Sequence, residues 1–150
     1  MAQATLTWQG DLVFDAVADS EHHVRLDGDK HAGPSPMELV LMAEAACTAM
    51  DVISILKKKR QEVTGFEVRV EAGRRDEHPK IYTAMVITYI IRGHNVDPQA
   101  VERAIELSIT KYCSVSAMLK DTVPVTTRYE IVPSGDVAAG QHNIESVDSV

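Results

Sequence analysis

The 150 residues, 45% of them apolar, are enough for one ordinary core and too few for two comfortable ones. A formal charge of −7 argues against a polyanionic partner, and the single basic run, Lys57-Lys58-Lys59-Arg60, falls where a helix is expected to end and cations complement its dipole. No basic stretch leading into an apolar core opens the chain, so no export signal is expected and the two cysteines should stay reduced in a cytoplasmic compartment.

Thr5-Leu6-Thr7-Trp8, Leu12-Val13-Phe14 and His23-Val24-Arg25-Leu26 read as a meander of three short strands, broken by Gly10 and by Asp19-Ser20-Glu21. A loop follows from Asp27 to Pro34. Ser35-Pro36-Met37-Glu38 is then a capping box: Ser35 is the N-cap, Pro36 takes the first helical position, and Glu38 reaches back three residues. The helix is expected to run to about Arg60. Its stretch from Leu39 to Leu56 is apolar on nearly every side, so it must be covered almost all round, and a partner subunit is the simplest cover. The same stretch carries Glu44 and Asp51 and is shorter than the roughly 20 residues of a membrane span, which favours a core helix.

Gly65–Arg74 and Lys80–Arg92 switch to alternating and β-branched patterns, with a turn over Asp76–Pro79. Asp97-Pro98 repeats the cap-and-proline signature and opens an amphipathic helix to about Tyr112. A short helix from Ser114 to Lys120 and a last strand from Val123 to Val132 are expected next. Residues 134–150 read as a polar, acidic tail beyond a single domain spanning 1–133. This order is α+β and not an alternating parallel α/β pattern.

The cysteines are 66 positions apart (113 − 47), which matches neither a redox Cys-x-x-Cys nor a zinc-ribbon spacing. Cys47 lies in the apolar helix, where a cysteine usually serves as a small hydrophobe. Glu44, Cys47 and Asp51 follow an i, i+3, i+7 pattern that puts them on one stripe, and carboxylates there need partners or a polar cavity. Carboxylates alone would quieten the thiol, so a reactive Cys47 needs a cation from elsewhere. Arg25 and Lys30 are nearest in sequence. Cys113 stands at the expected start of the short helix, where the dipole and free N–H groups are expected to lower its pKa. The histidine pairs match no ligand spacing, and no metal site is expected.

Two motifs resemble the OsmC/Ohr family. Gly33-Pro34-Ser35-Pro36-Met37-Glu38-Leu39, running into Ala43-Glu44-Ala45-Ala46-Cys47, is similar to the family's proline–glutamate helix start and its alanine–cysteine motif. Lys111-Tyr112-Cys113-Ser114-Val115-Ser116, with Leu119, is similar to its second cysteine motif. The run Met37-Glu38-Leu39 with Thr48-Ala49-Met50-Asp51-Val52 is most similar to the YhfA-type branch.

The resemblance implies antiparallel sheets wrapping a long central helix in an intertwined homodimer. It also implies a thiol peroxidase of the oxidative stress response, with no cofactor and no metal. In that scheme Cys47 is the peroxidatic residue and Cys113 the resolving one. Arg25 steadies the thiolate and Glu44 orients Arg25. Met37, Glu38 and Asp51 line the binding site, hydroperoxides are the substrate, and a small dithiol or lipoyl-type molecule is the reductant. Nucleic acid and membrane are not expected partners. Two departures accompany the match: Met37 occupies the place of the family's glutamate, and Ser114 that of its second-motif proline. The rival readings are a dimer of the same fold that binds a small apolar or electrophilic molecule, and a redox sensor.

Overall fold

A computed structural model of the chain describes residues 1–134 and the strand backbone of 145–147. The chain divides into two compact units, 1–42 and 43–150.

The first unit is an antiparallel meander of β1 (Ala4–Gly10), β2 (Val13–Ala18) and β3 (His23–Asp27), in the order β1-β2-β3. Register is fixed by pairs such as Trp8 opposite Phe14 and Phe14 opposite Leu26. After β3, the Asp27 carboxylate gathers three backbone N–H groups, from Asp29, His31 and Ala32, at 2.9–3.0 Å. These bonds, Ala32's first, hold its pKa below the ordinary value. Gly33 is required here because a Cβ would collide with the carbonyl of Arg25.

Helix α1 (Pro36–Lys58) begins in this unit and continues into the second. The capping box is formed as expected: the Ser35 backbone N–H and hydroxyl both donate to Glu38 Oε2, at 2.7 and 2.8 Å, and the Glu38 N–H donates back to Ser35 Oγ at 3.3 Å. The helix has 23 residues, close to its expected extent, and with a mean hydropathy of 1.9 over its most apolar 18 residues it is by length and composition alone long and apolar enough to cross a membrane, a test that the core helix of a soluble protein also passes. Its buried positions, Glu44, Thr48, Val52 and Leu56, form a single i, i+4 stripe.

The second unit carries a four-stranded sheet in the order β4-β5-β6-β7. β4 (Glu62–Arg74) and β5 (Tyr82–His94) form a long antiparallel pair. β6 (Val125–Pro133) runs parallel to β5, so this sheet is mixed. Parallel neighbours need a long crossover, and the helical segment between β5 and β6 supplies it. β7 (Glu145–Val147) pairs antiparallel with β6, within the stretch expected to be a tail; the rest of that tail lies outside the described residues.

The crossover starts with α2 (Pro98–Leu107), capped by Asp97 accepting from the Gln99 N–H at 3.0 Å. The expected helix to Tyr112 is not uniform. It becomes a π-helical turn over Ser108–Tyr112, closed by the Cys113 N–H donating to the Ser108 carbonyl at 2.7 Å. Cys113 is then extended and caps α3 (Ser114–Leu119).

The core of this unit joins Val52 and Leu56 of α1, Ile87, Tyr89 and Ile91 of β5, and Val101, Ala104 and Ile105 of α2. Each fully buried Val, Leu or Ile side chain among them contributes about 1.5–3 kcal/mol through removal of apolar surface from water.

Candidate functional site

Residues Glu44, Cys47, Thr48 and Asp51 of α1, Ser108 and Cys113 of the π-helical turn and its end, and Ser116 of α3 all belong to the second unit. The Sγ atoms of Cys47 and Cys113 and a carboxylate oxygen of Asp51 lie within 4.8 Å of one another. Both thiols are free, Cys47 half-buried and Cys113 only 3% exposed. The structure therefore brings together two cysteines whose meeting no spacing rule could establish.

Two polar networks flank the sulfurs. In the first, Tyr89 Oη and Thr48 Oγ1 are 2.6 Å apart, Thr48 Oγ1 and Ser108 Oγ are 2.8 Å apart, and the Ser108 hydroxyl donates to Asp51 Oδ2 at 3.0 Å. Each hydroxyl carries one hydrogen. Ser108 spends its own on Asp51, so Thr48 donates to Ser108 and Tyr89 donates to Thr48. Burial, opposed by the Thr48 bond, raises the Tyr89 pKa and keeps the phenol a donor. The chain therefore has one direction, ending on the carboxylate.

In the second network the Ser116 hydroxyl donates to Glu44 Oε1 in a short bond, and the Ser116 N–H donates to Cys113 Sγ at 3.4 Å. Glu44 is wholly buried, and its Oε2 has no partner among the described residues. Burial pushes its pKa above 4.5, partly offset by the Ser116 bond, because a charged carboxylate is costly out of water.

Cys113 departs from the sequence expectation. Its place at a helix start argued for a lowered pKa, yet burial pushes the thiol up to about 11 against the weaker bonds from Ser116, with Cys47 and the Glu44 charge adding to the rise. A six-residue helix has little dipole to set against that desolvation. At neutral pH Cys113 is therefore a protonated thiol.

The other expected site residues fall in the first unit. Arg25 lies on β3, opposite Asp15, and is exposed. Glu38 is held by the Ser35 cap and faces Lys30 at 3.8 Å; Met37 occupies the same first turn. Within the second unit no ion pair reaches Glu44 or Asp51 among the described residues. Asp51 does line a cavity of about 380 Å³ together with Ser54, Lys58, Lys59, Leu107 and Tyr112.

Tyr89 and Ser108 were not singled out by sequence, and Thr48 and Ser116 entered only as members of the quoted motifs, with no role of their own. Ser108 had a readable signal, since it continues the buried face of α2 after Ala104 and Ile105, where a hydroxyl needs a partner. Thr48 lies one turn beyond Glu44 on the buried stripe and carried the same hint.

Comparison with known proteins follows the same lines. Residues 27–128 match the family model described as OsmC-like protein. The chain is 43% identical over 131 residues to Protein YhfA of Escherichia coli K12, covering 87% of this chain and 98% of that protein. Among solved structures, a hypothetical protein from Aquifex aeolicus VF5 superposes with a TM-score of 0.82 at 33% identity, covering 89% of this chain and 98% of the other. The organic hydroperoxide resistance protein OhrB of Bacillus subtilis superposes with a TM-score of 0.58 at 14% identity, covering 86% and 97%, a likeness of fold alone. With α+β architecture, both cysteine motifs and most of the chain matched, the protein belongs to the OsmC-like family.

Proposed function

We propose that this protein is a thiol-dependent hydroperoxide reductase in which Cys47 attacks the peroxide and Cys113 resolves the product. The observation that carries this reading is the approach of two reduced sulfurs to within 4.8 Å in a setting built from buried polar groups. Cys47 is the more accessible of the two. Cys113, held protonated, suits the second step, in which it meets a sulfenic acid already formed.

Chemically, the Cys47 thiolate attacks an oxygen of the hydroperoxide and breaks the O–O bond. The remaining fragment takes a proton and leaves as an alcohol, and Cys47 becomes a sulfenic acid. Cys113 sulfur then displaces water from that sulfenic acid, and the two sulfurs close to about 2.05 Å in a disulfide. A small dithiol, of lipoyl type, returns both thiols and is itself oxidised. Arg25 is assigned to steady the Cys47 thiolate. A thiolate beside carboxylates needs a cation, and no ion pair reaches Glu44 or Asp51 among the described residues.

The working form is proposed to be a homodimer. Only 22% of the most apolar window of α1 is buried within one chain, and Met42 and Met50 are exposed on it. A second copy of the chain covers that surface in this reading.

The cavity beside Asp51 favours a second reading, in which the dimer binds a small molecule without peroxidase turnover. Titration of the reduced protein with cumene hydroperoxide, and separately with hydrogen peroxide, followed by mass spectrometry, decides between the two. Rapid stoichiometric loss of both thiols with a Cys47–Cys113 disulfide supports the reductase. Reaction no faster than that of an ordinary exposed thiol overturns it in favour of the binding protein.

A further inference from the structure

The geometry points to a soft-metal site: we propose that the reduced Cys47 and Cys113 sulfurs, with an Asp51 carboxylate oxygen, bind one divalent cation of the zinc class, and that oxidation of the pair releases it. The three ligand atoms lie within 4.8 Å of one another. Tetrahedral zinc, with sulfur at about 2.3 Å and carboxylate oxygen at about 2.1 Å, would space them about 3.6–3.8 Å apart. The contraction required is therefore no more than about 1.2 Å, within the reach of side-chain torsions at fixed backbone.

Two ligands are already oriented by hydrogen bonds that leave lone pairs for a metal. Asp51 Oδ2 accepts from Ser108, itself held by Thr48. Cys113 Sγ accepts from the Ser116 N–H. Such outer partners are what set ligand direction in metal centres. Two thiolates select zinc, cadmium or cobalt over magnesium and calcium, which prefer oxygen. Metal binding converts the two thiols to thiolates and releases their protons to solvent, so affinity rises with pH, and no ion pair competes for Asp51 among the described residues.

Three protein ligands leave a fourth position for water or an added ligand, the arrangement of an exchangeable site and not of a sealed structural one. Metal occupancy and the disulfide exclude each other because they use the same sulfurs. When a hydroperoxide takes two electrons from the two thiolates, the sulfurs join, and with two protons the peroxide yields alcohol and water. The cation, left with one carboxylate, departs.

The inference does not need catalytic turnover, so it stands or falls separately from the reductase reading. The probe is cobalt(II), added without oxygen to the reduced, metal-free full-length protein. The expected result is one equivalent per chain, with thiolate-to-cobalt charge-transfer absorption, tetrahedral visible bands and full displacement by zinc. Asp51→Asn should weaken cobalt roughly tenfold or more while both thiols still titrate with a chromogenic disulfide. Asp51→Glu should recover part of that loss, which separates ligation from misfolding. Treatment with one equivalent of hydroperoxide should abolish the cobalt bands. Absent charge-transfer absorption, or an affinity unchanged in Asp51→Asn, or cobalt retained by the disulfide form overturns the proposal. Metal-free protein that reacts with peroxide yet takes no cobalt overturns it alone and leaves the reductase standing.

Discussion

Glu38 and Glu44 stand on the same helix and have opposite fates. Glu38 receives the backbone N–H and hydroxyl of Ser35 and faces Lys30, and its pKa lies below 4.5, the Ser35 backbone bond being the first cause. Glu44 receives one hydroxyl, is wholly buried, leaves one oxygen unpartnered, and its pKa lies above 4.5 because of burial. The first glutamate obeys a local rule that can be read from four consecutive residues. The second breaks the rule that buried polar groups are fully paired, and it does so beside the thiols. Departures of that kind concentrate where a protein works and not where it merely folds.

The largest test of this contrast is at the sulfurs. Cys47→Ser should reduce peroxide consumption to background, whereas Cys113→Ser should leave a single turnover that ends in a sulfenic acid trapped by dimedone. Equal, partial losses in both variants would remove the division of roles. Arg25→Ala should slow the first step about a hundredfold if its guanidinium stabilises the reacting charge, read as the second-order rate of Cys47 oxidation. An unchanged rate would return Arg25 to the surface of β3.

Ser116→Ala should cost about 1–3 kcal/mol in urea unfolding, because Glu44 then has neither oxygen paired. A loss below that range would mean that Glu44 finds another donor.

The alkylation rate of Cys113 in Cys47→Ser should be low at pH 8 and climb between pH 9 and 11, following a thiol raised from 9.0 to about 11. A plateau already reached at pH 8 would contradict its burial.

The smallest effects are opposite pH slopes. Glu38 has a lowered pKa, so its stabilisation is present above 4.5 and lost as pH falls through its folded value. Glu44 has a raised pKa, so its contribution is complete below 4.5 and lost as pH rises through its folded value. Relative to wild type, Glu38→Gln should therefore lose stability toward neutral pH and Glu44→Gln should gain it, in unfolding measured from pH 4 to 8. Parallel slopes would undo the comparison.

What the sequence disclosed follows the range of the interaction. The start of α1 was legible because Ser35, Pro36 and Glu38 act within one turn. The stripe of Glu44, Cys47 and Asp51 was legible because helical periodicity is local. The approach of Cys113 to Cys47 was legible only through the resemblance of the two motifs and not from spacing, since it depends on α2 and the π-helical turn delivering a residue from far along the chain. The sign of the Cys113 shift was misread because a helix start is visible in sequence and desolvation is not. The parallel pairing of β6 with β5 and the short β7 likewise arise from crossover and edge geometry that no residue pattern announced.

The hydroxyl relay from Tyr89 through Thr48 and Ser108 to Asp51 has a further consequence. Its polarity is set at one end only. If Asp51 is neutralised or turns to another partner, nothing compels the three O–H dipoles to keep their order, and they are free to reverse in concert. Tyr89 lies in the heart of the sheet, stacked on Phe66 with ring centroids 6.5 Å apart. The difference between the near-ultraviolet spectra of the protein and of Asp51→Asn is the measurement that reads such a reversal at the phenol.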